Sequence, residues 1–203
     1  MEALTKAGPA MRGELNTYLT GTLAGAGSFR CSDCGFAVAL NALEEVPECP
    51  NCGNARFARA SIFDVHAQDD MPAIHDADDA SWIESARDEI TKPGHYLCHR
   101  EEGDLSVVPL IGEWIRIGRS LTADLRLDDP TVSRRHAIIA RQSGTVRVLD
   151  DRSLNGLFLN GKRVEWGSLD DGDEIIIGRY RLFFLDATGS GSSAGAPSDR
   201  AAA

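Results

Sequence analysis

From Gly94 to Leu185 the chain is a succession of short alternating apolar runs cut by turn signals, and this limits the possible folds more than any other feature. Side chains on a strand point alternately to opposite faces, so a half-buried strand reads as apolar–polar alternation. The predicted strands are His95–Arg100, Ser106–Leu110, Trp114–Ile117, Leu125–Leu127, Ala137–Arg141, Thr145–Leu149, Leu157–Leu159, Lys162–Val164, Glu174–Ile177 and Tyr180–Leu185. Between them stand Glu102-Gly103-Asp104, Gly112, Ser143-Gly144, Asn160-Gly161, Asp171-Gly172-Asp173 and Gly178, residues suited to tight turns. Many short strands with almost no helix specify a mainly β chain built around a sandwich.

Three polar stretches fall at strand ends: Ile117-Gly118-Arg119-Ser120, Ser133-Arg134-Arg135-His136 and Ser153-Leu154-Asn155-Gly156. They gather arginines at 119, 134 and 135 with serine hydroxyls and an asparagine amide, the donors needed to hold a phosphate and read the backbone beside it. Gly118, lacking Cβ, lets another backbone come close. Asn160-Gly161 reads as a plain hairpin turn, which puts Arg163 away from any ligand.

The order and spacing of these stretches resemble a forkhead-associated (FHA) domain, a β-sandwich that binds phosphothreonine peptides, over about Gly94 to Leu185. The resemblance implies that Arg119 is the signature phosphate contact, that the Ser133 hydroxyl donates to the phosphate, and that Arg134 adds a contact. It implies that Asn155 bonds the peptide backbone, while Gly118, His136 and Gly156 shape the site. The residue before the family's asparagine is commonly Thr or Ser; here it is Leu154, leaving only a backbone N–H to serve there.

Nearer the N-terminus, Cys31-Ser32-Asp33-Cys34-Gly35 and Cys49-Pro50-Asn51-Cys52-Gly53 are two CxxCG knuckles. Two residues between thiolates let both bind one ion, and four soft thiolates suit Zn²⁺, with iron the competitor. The segment resembles a zinc ribbon, and with so little apolar material a metal is expected to fold it. A structural zinc held by Cys31, Cys34, Cys49 and Cys52 is the preferred reading. A rubredoxin-like redox centre is disfavoured because the intervening stretch is short and lacks aromatic packing. Nucleic-acid binding through Arg30, Arg56 and Arg59 is opposed by Asp33, Glu44, Glu45 and Glu48.

The expected organisation is a flexible arm over 1–28, the zinc ribbon over 29–60, an acidic linker over 61–80, a short helix over 81–92, the FHA domain over 93–186 and a disordered tail over 187–203. The helix is marked by the Ser81-Trp82-Ile83-Glu84 capping box and an Ile83, Ala86, Ile90 stripe, and is stopped at Pro93-Gly94. A short helix is expected near Glu14–Leu19, and Thr17, Thr20 and Thr22 in the arm are candidates for an internal phosphothreonine ligand. Cys98 reads as a small buried hydrophobe. Net charge of −10 argues against nucleic-acid or anionic-membrane partners, and the lack of an apolar leader or spanning run points to the cytoplasm. Together these make a non-enzymatic adaptor that binds a threonine-phosphorylated protein in a Ser/Thr kinase pathway. The alternative is a zinc-ribbon nucleic-acid or transcription-complex factor with the FHA domain as a docking scaffold.

Overall fold

The computed structural model describes residues 17–60, 81–101 and 103–189. They fall in two compact units, within 1–67 and 68–203. The acidic segment 61–80, the remainder of the arm and the tail beyond 189 lie outside the described residues.

In the first unit, β1 (Thr17–Leu19), β2 (Gly27–Cys31), β3 (Ala37–Leu40) and β4 (Arg56–Arg59) form an antiparallel sheet in the order β1-β4-β2-β3. Its core is Phe29, Phe36 and Phe57 with Val38, Leu40, Val46, Cys31 and Cys49. The aromatic packing missing from the sequence reading is therefore present, contributed by residues that flank the knuckles. The ribbon also starts earlier than expected. Thr17–Leu19 is a strand paired with Arg56–Ala58, not part of a helix or free arm. Tyr18 explains this: its ring meets Phe29 edge-on at 5.1 Å between centroids, and the Arg59 guanidinium lies over both rings. Thr20 donates its hydroxyl to the Pro47 carbonyl at 3.2 Å, and the Thr22 N–H closes a turn on Leu19. These threonines belong to the ribbon and do not form a mobile ligand.

In the second unit, two sheets share one core. The first contains β7 (Trp114–Gly118), β8 (Leu125–Arg126), β9 (Ala137–Gln142), β10 (Thr145–Asp150) and β13 (Trp166–Ser168), in the order β13-β10-β9-β7-β8. The second contains β5 (His95–Glu101), β6 (Asp104–Pro109), β11 (Leu157–Leu159), β12 (Lys162–Val164), β14 (Glu174–Ile177) and β15 (Tyr180–Asp186), in the order β12-β11-β14-β15-β5-β6. All pairings are antiparallel except β7 with β8. Ile117, Ile139 and Val148 from one sheet pack with Leu97, Leu157, Ile175, Ile177, Leu182 and Phe184 from the other, all essentially inaccessible. Each large side chain so buried contributes about 1.5–3 kcal/mol.

The strand β13 is absent from the sequence reading, because Trp166-Gly167-Ser168 shows no alternation. Gly167 is packed closely there: a Cβ would fall 2.5 Å from the Leu159 side chain, which would have to move. The helix α1 runs Ser81–Glu89, three residues short of the expected end. The residue before a proline resists helical geometry, and the Ile90 N–H instead closes a tighter turn on Arg87. Ile83 and Ala86 cover Cys98, Phe183 and Leu185 on the six-stranded sheet. Cys98 is fully buried, as expected, and burial pushes its thiol up to about 11. The Asn160-Gly161 turn has φ of 49° and 76°, the left-handed pair that a two-residue hairpin requires. At the other end, Ala187 donates to the Gly94 carbonyl and Thr188 bonds Asp186, so the first residues past β15 are tied down.

Candidate phosphopeptide site and metal centre

The three polar loops meet at one end of the sandwich. Ile117 pairs with Ala137 and Ala137 with Asp150, so the end of β7, the start of β9 and the end of β10 lie side by side. The Arg119 and Ser120 N–H groups donate to the carbonyls of Ser133 and Arg134, at 3.0 and 3.2 Å. That seam explains Gly118: a Cβ would lie 2.4 Å from the Arg134 carbonyl oxygen. Glycine is demanded here by the close approach of two backbones.

His136 joins the second loop to the third. It is fully buried; its Nδ1 accepts from the Ser133 N–H at 3.0 Å, so the proton resides on Nε2, which donates to the Gly156 carbonyl at 3.1 Å. Burial holds its pKa below the ordinary imidazole value.

Ser133 is 8% exposed, and its Oγ accepts the Leu154 N–H at 3.0 Å. A hydroxyl has one proton to give, and with Oγ occupied as acceptor that proton is left for another oxygen. The Leu154 N–H expected to serve the phosphate is thus engaged in aiming Ser133. Arg119 is 8% exposed, next to Ser133, while Arg134 is exposed. Arg135 does not join them: it forks onto Asp151 through two bonds of 2.7 and 2.9 Å. Asn155 is 2% exposed and donates to the Thr131 carbonyl at 2.9 Å, bracing the loop that precedes Ser133.

Other site-shaping residues were not legible in advance. Asp129 is 5% exposed, accepts the Thr131 N–H at 2.8 Å and pairs with Arg179 at 2.7 Å. The Arg179 N–H bonds the Thr131 hydroxyl at 3.0 Å. The available signal was the Asp129-Pro130-Thr131 spacing, which suits an Asx turn. Arg163 is also misplaced by the sequence reading. Gly156 has φ of 85°, and a Cβ on it would lie 2.9 Å from the Arg163 guanidinium carbon, so Arg163 rests against the recognition loop.

In the first unit, Cys31, Cys34, Cys49 and Cys52 place their sulfurs within 4.8 Å of one another, with Cys31–Cys52 and Cys34–Cys49 both at 3.5 Å. Four thiolates about 2.3 Å from one zinc stand about 3.8 Å apart, so the spacing fits. The knuckles share one geometry: Gly35 and Gly53 both have φ of 73°, and their N–H groups return to the Cys31 and Cys49 carbonyls at 3.0 and 2.8 Å. These residues could bind one zinc ion.

Residues 115–178 match the family model of the FHA domain, and residues 9–61 that of a zinc-ribbon containing domain. The chain therefore carries both domains. It is 46% identical over 69 residues to the oxoglutarate dehydrogenase inhibitor of Corynebacterium diphtheriae, covering 34% of this chain and 48% of that protein. It is 45% identical over 76 residues to the glycogen accumulation regulator GarA of Mycolicibacterium smegmatis, covering 37% and 48%. The chain thus spans about half the length of these relatives. A structure of Mycobacterium tuberculosis EmbR in complex with a low-affinity phosphopeptide aligns at 31% identity with a TM-score of 0.44, over 50% of this chain and 26% of that one. Among the described residues no helix is long and apolar enough to cross a membrane.

Burial lowers the pKa of His95, His99 and His136 alike. Their unfolded value is about 6.5, so below that pH the unfolded chain binds more protons than the folded one. Stability from these groups is complete above about pH 6.5 and lost as pH falls. The thermal midpoint of the sandwich is expected to drop between pH 7 and pH 5, where most carboxylates remain ionised. A midpoint independent of pH over that range would contradict it.

Proposed function

We propose that this chain is a phosphothreonine-peptide-binding adaptor of Ser/Thr kinase signalling, with the zinc ribbon as a second interaction module. Arg119, Ser133 and Arg134 take the phosphate, Asn155 orders the loop beside the peptide backbone, and Gly118, His136 and Gly156 hold the loops in place. The observation that carries this reading is the Ser133 hydroxyl, oriented by the Leu154 N–H so that its proton is available next to the Arg119 backbone. Such donors capture an anion without reorganising, and charge-assisted bonds are worth ~1.5–3 kcal/mol each. Unphosphorylated threonine offers no such acceptor. The named relatives, a dehydrogenase inhibitor and a glycogen accumulation regulator, are regulatory proteins, which agrees with an adaptor.

Zinc is the metal the four cysteines fit best, held as a structural ion with no open position. Of the three ribbon arginines, Arg30 donates to the Gly35 carbonyl and Arg59 to the carbonyls of Ala24 and Ala26, while Arg56 is exposed. The test is binding of the full chain to a phosphothreonine peptide library. Selective retention of phosphorylated members is expected. Equal retention of their unphosphorylated forms would leave the docking-scaffold reading in its place.

A further inference from the structure

Resting on that reading, we infer that the site selects phosphothreonine peptides with acidic flanking residues, read by a rim of Arg152 and Arg163. Charge supplies the first argument. A phosphorylated threonine carries about two negative charges, and Arg119 with Arg134 balances them. The loops present more than that, in a chain whose net charge is −10. Arg152 is exposed, and among the described residues it makes no ion pair. By contrast the nearby Arg135 and Arg179 are held by Asp151 and Asp129. The rim therefore has positive charge in excess of what one phosphate requires.

Conformation supplies the second. Arg152 sits at φ of 62°, a left-handed conformation that glycine adopts freely and arginine does not. It lies in the turn between Asp150 and Ser153, whose N–H and hydroxyl are both bound by the Asp150 carboxylate, so the strained geometry is enforced by its neighbours. Glycine would fit better, which makes the side chain the reason for arginine at this point. Strained residues concentrate where function uses them. The second residue of the rim, Arg163, occupies the space above Gly156 where any other residue would put a Cβ. Its exposed guanidinium thus stands directly beside the Asn155-Gly156 turn. Arg152 and Arg163 come from two segments and flank the turn at Asn155-Gly156.

The experiment measures affinities of the full chain for two phosphothreonine peptides of equal length, with aspartates or alanines around the phosphothreonine. An exposed ion pair changes affinity about two- to five-fold, so two give a preference of about fivefold for the acidic peptide, shrinking at high salt. The double variant Arg152→Gly, Arg163→Ala should lose that preference while still binding the neutral phosphopeptide. Arg152→Gly alone should reduce the preference and raise the melting temperature, a combination a purely structural arginine would not produce. Phosphate-dependent binding with equal affinity for both peptides would overturn this inference and leave the phosphopeptide reading intact. Absence of phosphate-dependent binding to either would overturn both.

Discussion

Replacing Arg119 with alanine is expected to weaken phosphothreonine-peptide binding by at least ~30-fold, the lower bound of the ~2–5 kcal/mol lost when one member of a hydrogen-bonded charge pair is removed. Its backbone is fixed by the N–H bond to the Ser133 carbonyl and by the glycine-demanding seam at Gly118, so the guanidinium is launched from a rigid edge. Arg119→Lys should recover only part of the loss, since an ammonium cannot form the two parallel bonds of a planar fork. Ser133→Ala removes the hydroxyl donor and also leaves the Leu154 N–H without its acceptor. Its cost therefore combines a lost contact with a loosened loop, at about 1–3 kcal/mol for the unsatisfied group.

Asn155→Ala should lower affinity without abolishing phosphate dependence, because the side chain braces the Thr131 carbonyl. The control for charge is Arg147→Ala: it removes an exposed arginine that lies over Trp166 on β10, away from the loops. Titration calorimetry decides among these. Unchanged affinity in Arg119→Ala would mean that the three loops are not the binding site.

The sandwich was readable in the sequence because its strands alternate and its turns carry Gly and Asn at positions of positive φ. Both are local signals, and Asn160-Gly161 shows how completely a turn type can follow from two residues. The same approach failed where structure depends on distant partners. Thr17–Leu19 becomes a strand because Tyr18 meets Phe29 and β4 offers an edge, neither of which is encoded within those three residues. Trp166–Ser168 becomes one because β10 offers it an edge, pairing Val148 with Gly167.

The loops divide in the same way. Arg119, Ser133, His136 and Asn155 could be nominated from motif spacing, and the structure brings them together at one end of the sandwich. Their hydrogen-bond partners could not be: Leu154 serving Ser133, Asp151 withdrawing Arg135, and Thr131 receiving Asn155 all span 16 residues or more. Arg163 was assigned away from the site because a hairpin turn says nothing about which loop its strands pass beneath.

Removing the metal is expected to unfold the first unit and leave the second folded. The ribbon's core is a handful of side chains around Phe29, Phe36 and Phe57, and two of its members, Cys31 and Cys49, are themselves candidate ligands. A unit this small buries too little surface to outweigh its chain entropy. Without a cation, the four thiols would have to pack as neutral groups, and burial pushes the Cys49 thiol well up. Zinc reverses that balance by binding the thiolates, and its binding free energy becomes folding free energy. The sandwich core draws no residue from the ribbon, so its stability should not follow the metal.

The two units can be read separately in the intact chain, because all three tryptophans, Trp82, Trp114 and Trp166, lie in the second. Chelation or Cys34→Ser should therefore abolish one zinc per chain and the dispersed amide signals of residues such as Phe57. The tryptophan-detected thermal midpoint should stay within a degree or two of its original value. Stoichiometric iron with a visible absorption band would replace the structural site with a redox centre. Loss of the tryptophan transition on chelation would show that the two units fold as one.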